Sequence, residues 1–215
     1  MLTRLRHGTV RLALALCMAP LAACAPASQG SGAAEPAEAR AQDPAGTADS
    51  LVVAGYGTMR QDEVTVSIRN GPVLVKVTPL DEAVIRLLAP DTYDRLSSLR
   101  RSRAEEAARL GLGEPEMFLV SFFSYEPDAA FQPEDLQIVY QSRLLRPVTI
   151  VPLTSGWGRQ RLDQQETQTA IYAFDAQIDF EQVMTVRYGM EESDEWRRIL
   201  IALENERGRI RSRIR

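Results

Sequence analysis

Cysteine and histidine are nearly missing from this chain of 215 residues, and the few present crowd its start. Cys17, Cys24 and the single histidine, His7, all fall within the first 24 positions. From residue 25 onward there is neither, which excludes disulfides, Ser-His-Asp and Cys-His catalysis, the common zinc sites, c-type haem attachment and thioredoxin-like redox pairs. Chemistry must then rest on carboxylates, Ser, Tyr, Arg or Lys76, the only lysine among 25 basic residues. Positive charge is also in deficit, with a formal net charge of −4. The first 23 residues hold Arg4, Arg6 and Arg11 but no acid, so the remainder is more acidic still. Such a balance does not suit a nucleic-acid partner. No cofactor and no metal site are implied.

What is present first is an N-terminal address. The three arginines precede an apolar run over 12–21, too short to span a bilayer as a finished helix, and small residues follow it. Leu21-Ala22-Ala23-Cys24 resembles the lipobox of bacterial lipoproteins. That resemblance implies cleavage before Cys24, acylation of its thiol and a membrane partner reached through the N-terminal lipid. Ala25 after the cysteine, by resemblance to the enterobacterial sorting rule, favours the outer over the inner membrane. Residues 25–50 are Ala, Pro, Gly, Ser, Gln and Glu with almost no large apolar side chain. They bury too little to offset ordering entropy and read as a disordered tether with a root-mean-square span of about 28 Å. The expected organisation is a signal over 1–23, a tether over 24–50, one folded domain over 51–205 and a basic tail over 206–215.

Within the domain, Val64, Val66 and Ile68 alternate with polar residues, Asn70-Gly71 follows, and Val73, Val75 and Val77 alternate again. The pattern predicts a hairpin over 63–78, with Pro72 beside the turn. Thr78-Pro79-Leu80-Asp81 then offers a cap, a first-position proline and an acid, predicting a short helix toward Pro90. A second helix is expected over 91–110, with a polar middle and a stop at Gly111-Leu112-Gly113. The run 117–125 is apolar on both faces, as in a covered central strand. Further apolar stretches at 136–140, 148–151, 170–174 and 183–188 are punctuated by Pro and Gly. The fold expected is mainly β, a sandwich with a helical insertion over about 79–110. A C-terminal amphipathic helix, led in by the acids of 191–195, carries Trp196, Ile199, Leu200 and Leu203 at helical spacing. The strand order over 117–190 resembles the immunoglobulin-like sandwich domains of many bacterial lipoproteins, including the DUF4352 type, a resemblance that implies fold and no catalytic motif.

Three features could carry function. Trp157, between Gly156 and Gly158 and followed by Arg159 and Arg161, is a candidate binding spot, or else a ring packed into one end of the sandwich. Arg207, Arg209, Arg211, Arg213 and Arg215 alternate with Gly208, Ile210, Ser212 and Ile214. Read as an extended segment, they form a basic strip for an anionic surface, and otherwise a solvated tail or one paired with the domain's own acids. The acids of 191–195 lack the spacing of a calcium loop. Together these predict a non-enzymatic, membrane-anchored envelope lipoprotein that binds an envelope protein or anionic polymer. The alternative is a carboxylate-based hydrolase or small-ligand binder, which requires a pocket with convergent acids.

Overall fold

The computed structural model describes residues 52–109 and 113–214. Cys24, the signal and the tether, most of Gly111-Leu112-Gly113, and Arg215 lie outside the described residues. The alternating valines form a hairpin of β1 (Val66–Asn70) and β2 (Val73–Pro79). Their register pairs Asn70 with Val73, so the turn consists of Gly71 and Pro72 rather than Asn70 and Gly71. Gly71 adopts φ +55°, a left-handed value open to glycine, and the ring of Pro72 fixes the negative φ that must follow.

The expected helix start at Thr78-Pro79 is instead the end of β2, because the Thr78 hydroxyl is already engaged. It lies 2.7 Å from the Thr65 hydroxyl and accepts from Gln61 Nε2 at 3.2 Å. The ladder continues beyond it, with Leu80 N–H donating to Met117 O at 2.9 Å. Helix α1 (Glu82–Ile85) is capped by Asp81, whose carboxylate accepts from Ala83 N at 2.8 Å. Helix α2 (Pro90–Arg109) follows, with proline at its first position.

The doubly apolar run becomes β3 (Glu116–Ser124), which lies between β2 and β9 (Thr167–Phe174), with β7 (Thr149–Pro152) beyond. The five-stranded sheet has the order β1-β2-β3-β9-β7 and every pairing is antiparallel. A second antiparallel sheet joins β11 (Glu191–Ser193), β10 (Met184–Tyr188), β5 (Leu136–Tyr140) and β6 (Arg143–Leu145) in that order. A small third sheet pairs β4 (Ala129–Ala130) with β8 (Arg161–Leu162). Phe118, Val120 and Phe122 on β3 are fully buried, as are Leu136, Ile138 and Val186 of the second sheet. Phe122 meets Tyr188 edge-on with centroids 5.5 Å apart, joining the two sheets. The architecture is a β-rich sandwich, and each fully buried side chain of this size contributes on the order of 1.5–3 kcal/mol.

Two expectations at the C-terminus are corrected. Glu191–Ser193 is an edge strand and not a first helical turn. The Glu195 carboxylate accepts from Ser67 N at 2.8 Å, which occupies an otherwise open donor on edge strand β1. Helix α3 spans Trp196–Ile214, so Arg207, Arg209, Arg211 and Arg213 lie on a helix and not on an extended strip. The apolar stripe explains this, since Trp196, Ile199, Leu203 and Ile210 are all fully buried. At about 100° per residue, alternate arginines fall on nearly opposite faces. Among the described residues no helix is long and apolar enough to cross a membrane.

Candidate functional site

A cleft of about 1040 Å³ opens where the start of β3 meets α1, α2, the end of β5, the loop before β10, and α3. Six carboxylates line it, from Asp81, Glu82, Glu114, Glu116, Asp179 and Glu181, against two guanidinium groups, from Arg100 and Arg207. Tyr140, Ile178, Phe180 and Val52 supply its apolar wall. The capping acid of α1, Asp81, and its first residue, Glu82, both face Arg100, at 4.0 and 3.6 Å. Glu82 also accepts from Arg86 Nε at 2.7 Å and from the Tyr93 hydroxyl at 3.4 Å.

Arg207, expected in the tail, is buried at one wall of this cleft. Its guanidinium lies 3.3 Å from Glu181 and 3.4 Å from Glu204, and donates to Ala83 O at 3.4 Å. The helix seats it there because position 207 follows the buried Leu203 by one turn. Across the cleft, the Tyr140 hydroxyl accepts from Asp179 N at 3.2 Å and from Gln141 Nε2 at 3.1 Å. The Asp179 carboxylate accepts from Glu181 N and Gln182 Nε2, each at 2.9 Å, which fixes the loop before β10.

Glu116 is the most perturbed acid in the cleft. Burial, followed by the negative charge of Asp81, pushes its carboxyl up to about 7, and the Ile178 backbone N–H and Arg100 only partly oppose this. Among the described residues Glu114, Glu116 and Asp179 form no ion pair, whereas Asp81, Glu82 and Glu181 each face an arginine. The unpaired side of the cleft therefore presents the exposed carboxylates of Glu114 and Asp179 beside the partly buried Glu116, an arrangement that attracts cations. No three carboxylates among the described residues come together closely enough to hold a metal ion.

Trp157 lies in the sandwich end, its ring 5.3 Å from Phe131 and 5.7 Å from Phe122. It is 8% exposed and cannot be offered to a partner without unpacking. Arg159 pairs with Glu166 at 3.0 Å and Asp163 at 3.5 Å, and Arg161 pairs with Asp128. These two arginines hold neighbouring turns and are not brought together with the cleft.

Arg209 donates to Glu206 through Nε at 2.6 Å and to Tyr56 O at 2.9 Å. Glu206 is buried and also accepts from the Thr58 N–H at 2.7 Å and the Thr58 hydroxyl at 3.0 Å. Arg209 is therefore a structural clamp, and of the described tail arginines only Arg211 and Arg213 remain on an exposed helix surface. Sequence reading missed Glu116, Asp81, Asp179 and Arg100. One signal for Glu116 was available, a lone acid opening an otherwise apolar central strand. Comparison with known proteins finds no match: no family model fits the chain, and no curated protein or solved structure matches it.

Proposed function

We propose that the protein is a lipid-anchored lipoprotein of the cell envelope, held at the outer membrane through Cys24, whose domain is a non-enzymatic binding module. Its cleft receives a basic segment of an envelope protein. The observation that carries this reading is the set of unpaired acids, Glu114, Glu116 and Asp179, beside the apolar wall of Tyr140, Ile178 and Phe180. An arginine or lysine side chain has the matching form, an apolar stem ending in a cation. The cleft volume of about 1040 Å³ leaves room for several residues of chain, and its acidity disfavours an anionic polymer there. In the same reading the two facing sheets are immunoglobulin-like, with α1 and α2 inserted between β2 and β3.

Calorimetric titration with an arginine- and lysine-bearing peptide, against an acidic peptide of equal length, tests the cleft. Only the basic peptide should bind, and Glu116→Gln should weaken it roughly fivefold, the effect of about 1 kcal/mol for a partly exposed ion pair. Equal binding of both peptides would remove the reading. The anchor has its own test, since labelling with a palmitate analogue should mark the wild type and spare Cys24→Ser.

A hydrolase reading rests on one observation, that Glu116 keeps its proton close to neutrality beside Asp81, as a general acid requires. It predicts turnover of a glycoside or ester that Glu116→Gln abolishes.

A further inference from the structure

One face of the five-stranded sheet is buried at Thr78, Leu119 and Ile171 but open to solvent toward the β1–β2 turn, and the composition of that open part is unlike the rest of this acidic protein. The strand register sets Arg69, Leu74, Phe123 and Thr167 in one row across β1, β2, β3 and β9. The next row is Ser67, Lys76, Ser121 and Thr169. Neither row contains a carboxylate. Tyr125, just beyond β3, is 57% exposed and stands edge-on to Phe123 at 4.6 Å. Arg69 and Lys76 are exposed and form no ion pair among the described residues, whereas Arg86, Arg159 and Arg161 each face an acid. The chain's only lysine thus sits with an unpaired arginine around a small aromatic and aliphatic patch.

We propose that this face docks the domain onto an anionic lipid surface. Aromatic rings with a polar edge, flanked by long basic side chains, suit the boundary between headgroups and acyl chains. The face carries positive charge on a chain with net charge −4, so the attraction is local to these rows and directs one orientation. The inference rests on the lipid-anchor reading for its setting. On that reading a lipid at Cys24 makes docking intramolecular, so a weak face suffices at the millimolar effective concentration a short flexible connection gives. Seven steps along β3 separate Phe123 from Glu116, about 24 Å at strand rise, and an odd number of steps puts the two on opposite faces of the strand. A domain docked by the Phe123 face therefore does not cover its acidic cleft with that face.

The test uses the whole processed protein, reconstituted in phosphatidylcholine vesicles with or without phosphatidylglycerol. From residue 25 onward the chain has no native cysteine, so Thr167→Cys places one spin label in the Phe123 row and Leu144→Cys places a control on β6. Collisional relaxation by oxygen against a water-soluble nickel chelate reads immersion. The 167 label should enter the oxygen-rich zone only in anionic vesicles, and the 144 label should remain in water. Arg69→Gln with Lys76→Gln should lower the docked-to-undocked ratio about 30-fold, two basic contacts at about 1 kcal/mol each, and high salt should act similarly. Tyr125→Ala should also reduce docking while leaving the fold intact, since its ring is mostly exposed.

A 167 label that stays in water in both vesicles overturns the proposal, as does docking indifferent to the two glutamine substitutions. Spin–spin broadening in detergent without lipid would assign the face to a second copy and overturn it as well. Acylation is read from the mass of the N-terminal peptide in the same sample. An acylated protein with its label in water refutes the docking face alone, and an unacylated one refutes the anchor. In that second case, cosedimentation of the Cys24→Ser chain with the two vesicle types reads the face directly.

Discussion

Replacing Glu116 with glutamine should stabilise the protein in mild alkali and change it little in acid. The ordinary carboxyl value of 4.5 is raised to about 7 in the folded chain, first by burial and then by the charge of Asp81. Between these values the folded state holds a proton that the unfolded state has lost. Stability from this group is therefore fully present below about 4.5, declines as pH rises through the interval, and is flat above about 7. The interval corresponds to roughly 3 kcal/mol, which solvent in an open cleft reduces to about 2 kcal/mol. Glutamine keeps an acceptor for the Ile178 N–H and carries no charge, so Glu116→Gln should gain about 2 kcal/mol at about pH 8 and nothing at about pH 4. Urea unfolding at both pH values, wild type against variant, measures it. A variant less stable at alkaline pH, or equally displaced at both, would refute the electrostatic reasoning and make Glu116 an ordinary structural carboxylate.

Glu206 has the opposite sign, because its hydrogen bond from Arg209 holds its carboxyl below the ordinary 4.5, with donors from Thr58 assisting. Its stabilisation is present above 4.5 and lost as pH falls through the lowered folded value, so Glu206→Gln should cost about 2 kcal/mol near neutrality and less in acid, read by the same unfolding curves. Gly57→Ala should cost about 2–3 kcal/mol in a thermal melt. The new Cβ would lie 2.2 Å from the Leu87 carbonyl carbon, on backbone held by Met59 N–H to Leu87 O at 3.1 Å. Truncation after Glu206 should destabilise the domain by several kcal/mol, since Arg207 and Ile210 are buried; an unchanged melting temperature would restore the free tail.

The elements best read from sequence are those with one unambiguous period. The run 117–125 loads both faces and becomes the central strand β3 between β2 and β9. The helical spacing after Pro90 becomes α2. Errors arose where two local signals competed. Thr78-Pro79 has the chemistry of a helix start, but tertiary hydrogen bonds claim the threonine and Asp81 supplies the cap. Asn70-Gly71 marks a turn, but the strand pairing displaces it by one residue to Gly71-Pro72. At the C-terminus, arginine at every second position suggested an extended tail, while Ile210, seven residues after Leu203, continues the stripe of α3. Two helical turns of buried apolar side chain outweigh an alternation of charges that can stay solvated or paired. The cleft was not legible, because it joins side chains from residue 52 to residue 207 and no local pattern links them.

The central claim is that the cleft takes a cation at the Glu116 side. Proton release on binding tests it most directly. A basic peptide titrated near pH 7, in buffers of differing ionisation enthalpy, should expel about half a proton per molecule bound, because the arriving cation favours ionised Glu116. Glu116→Gln should bind the peptide with no proton released. Binding with no proton released by the wild type, or with undiminished release by Glu116→Gln, would contradict the account.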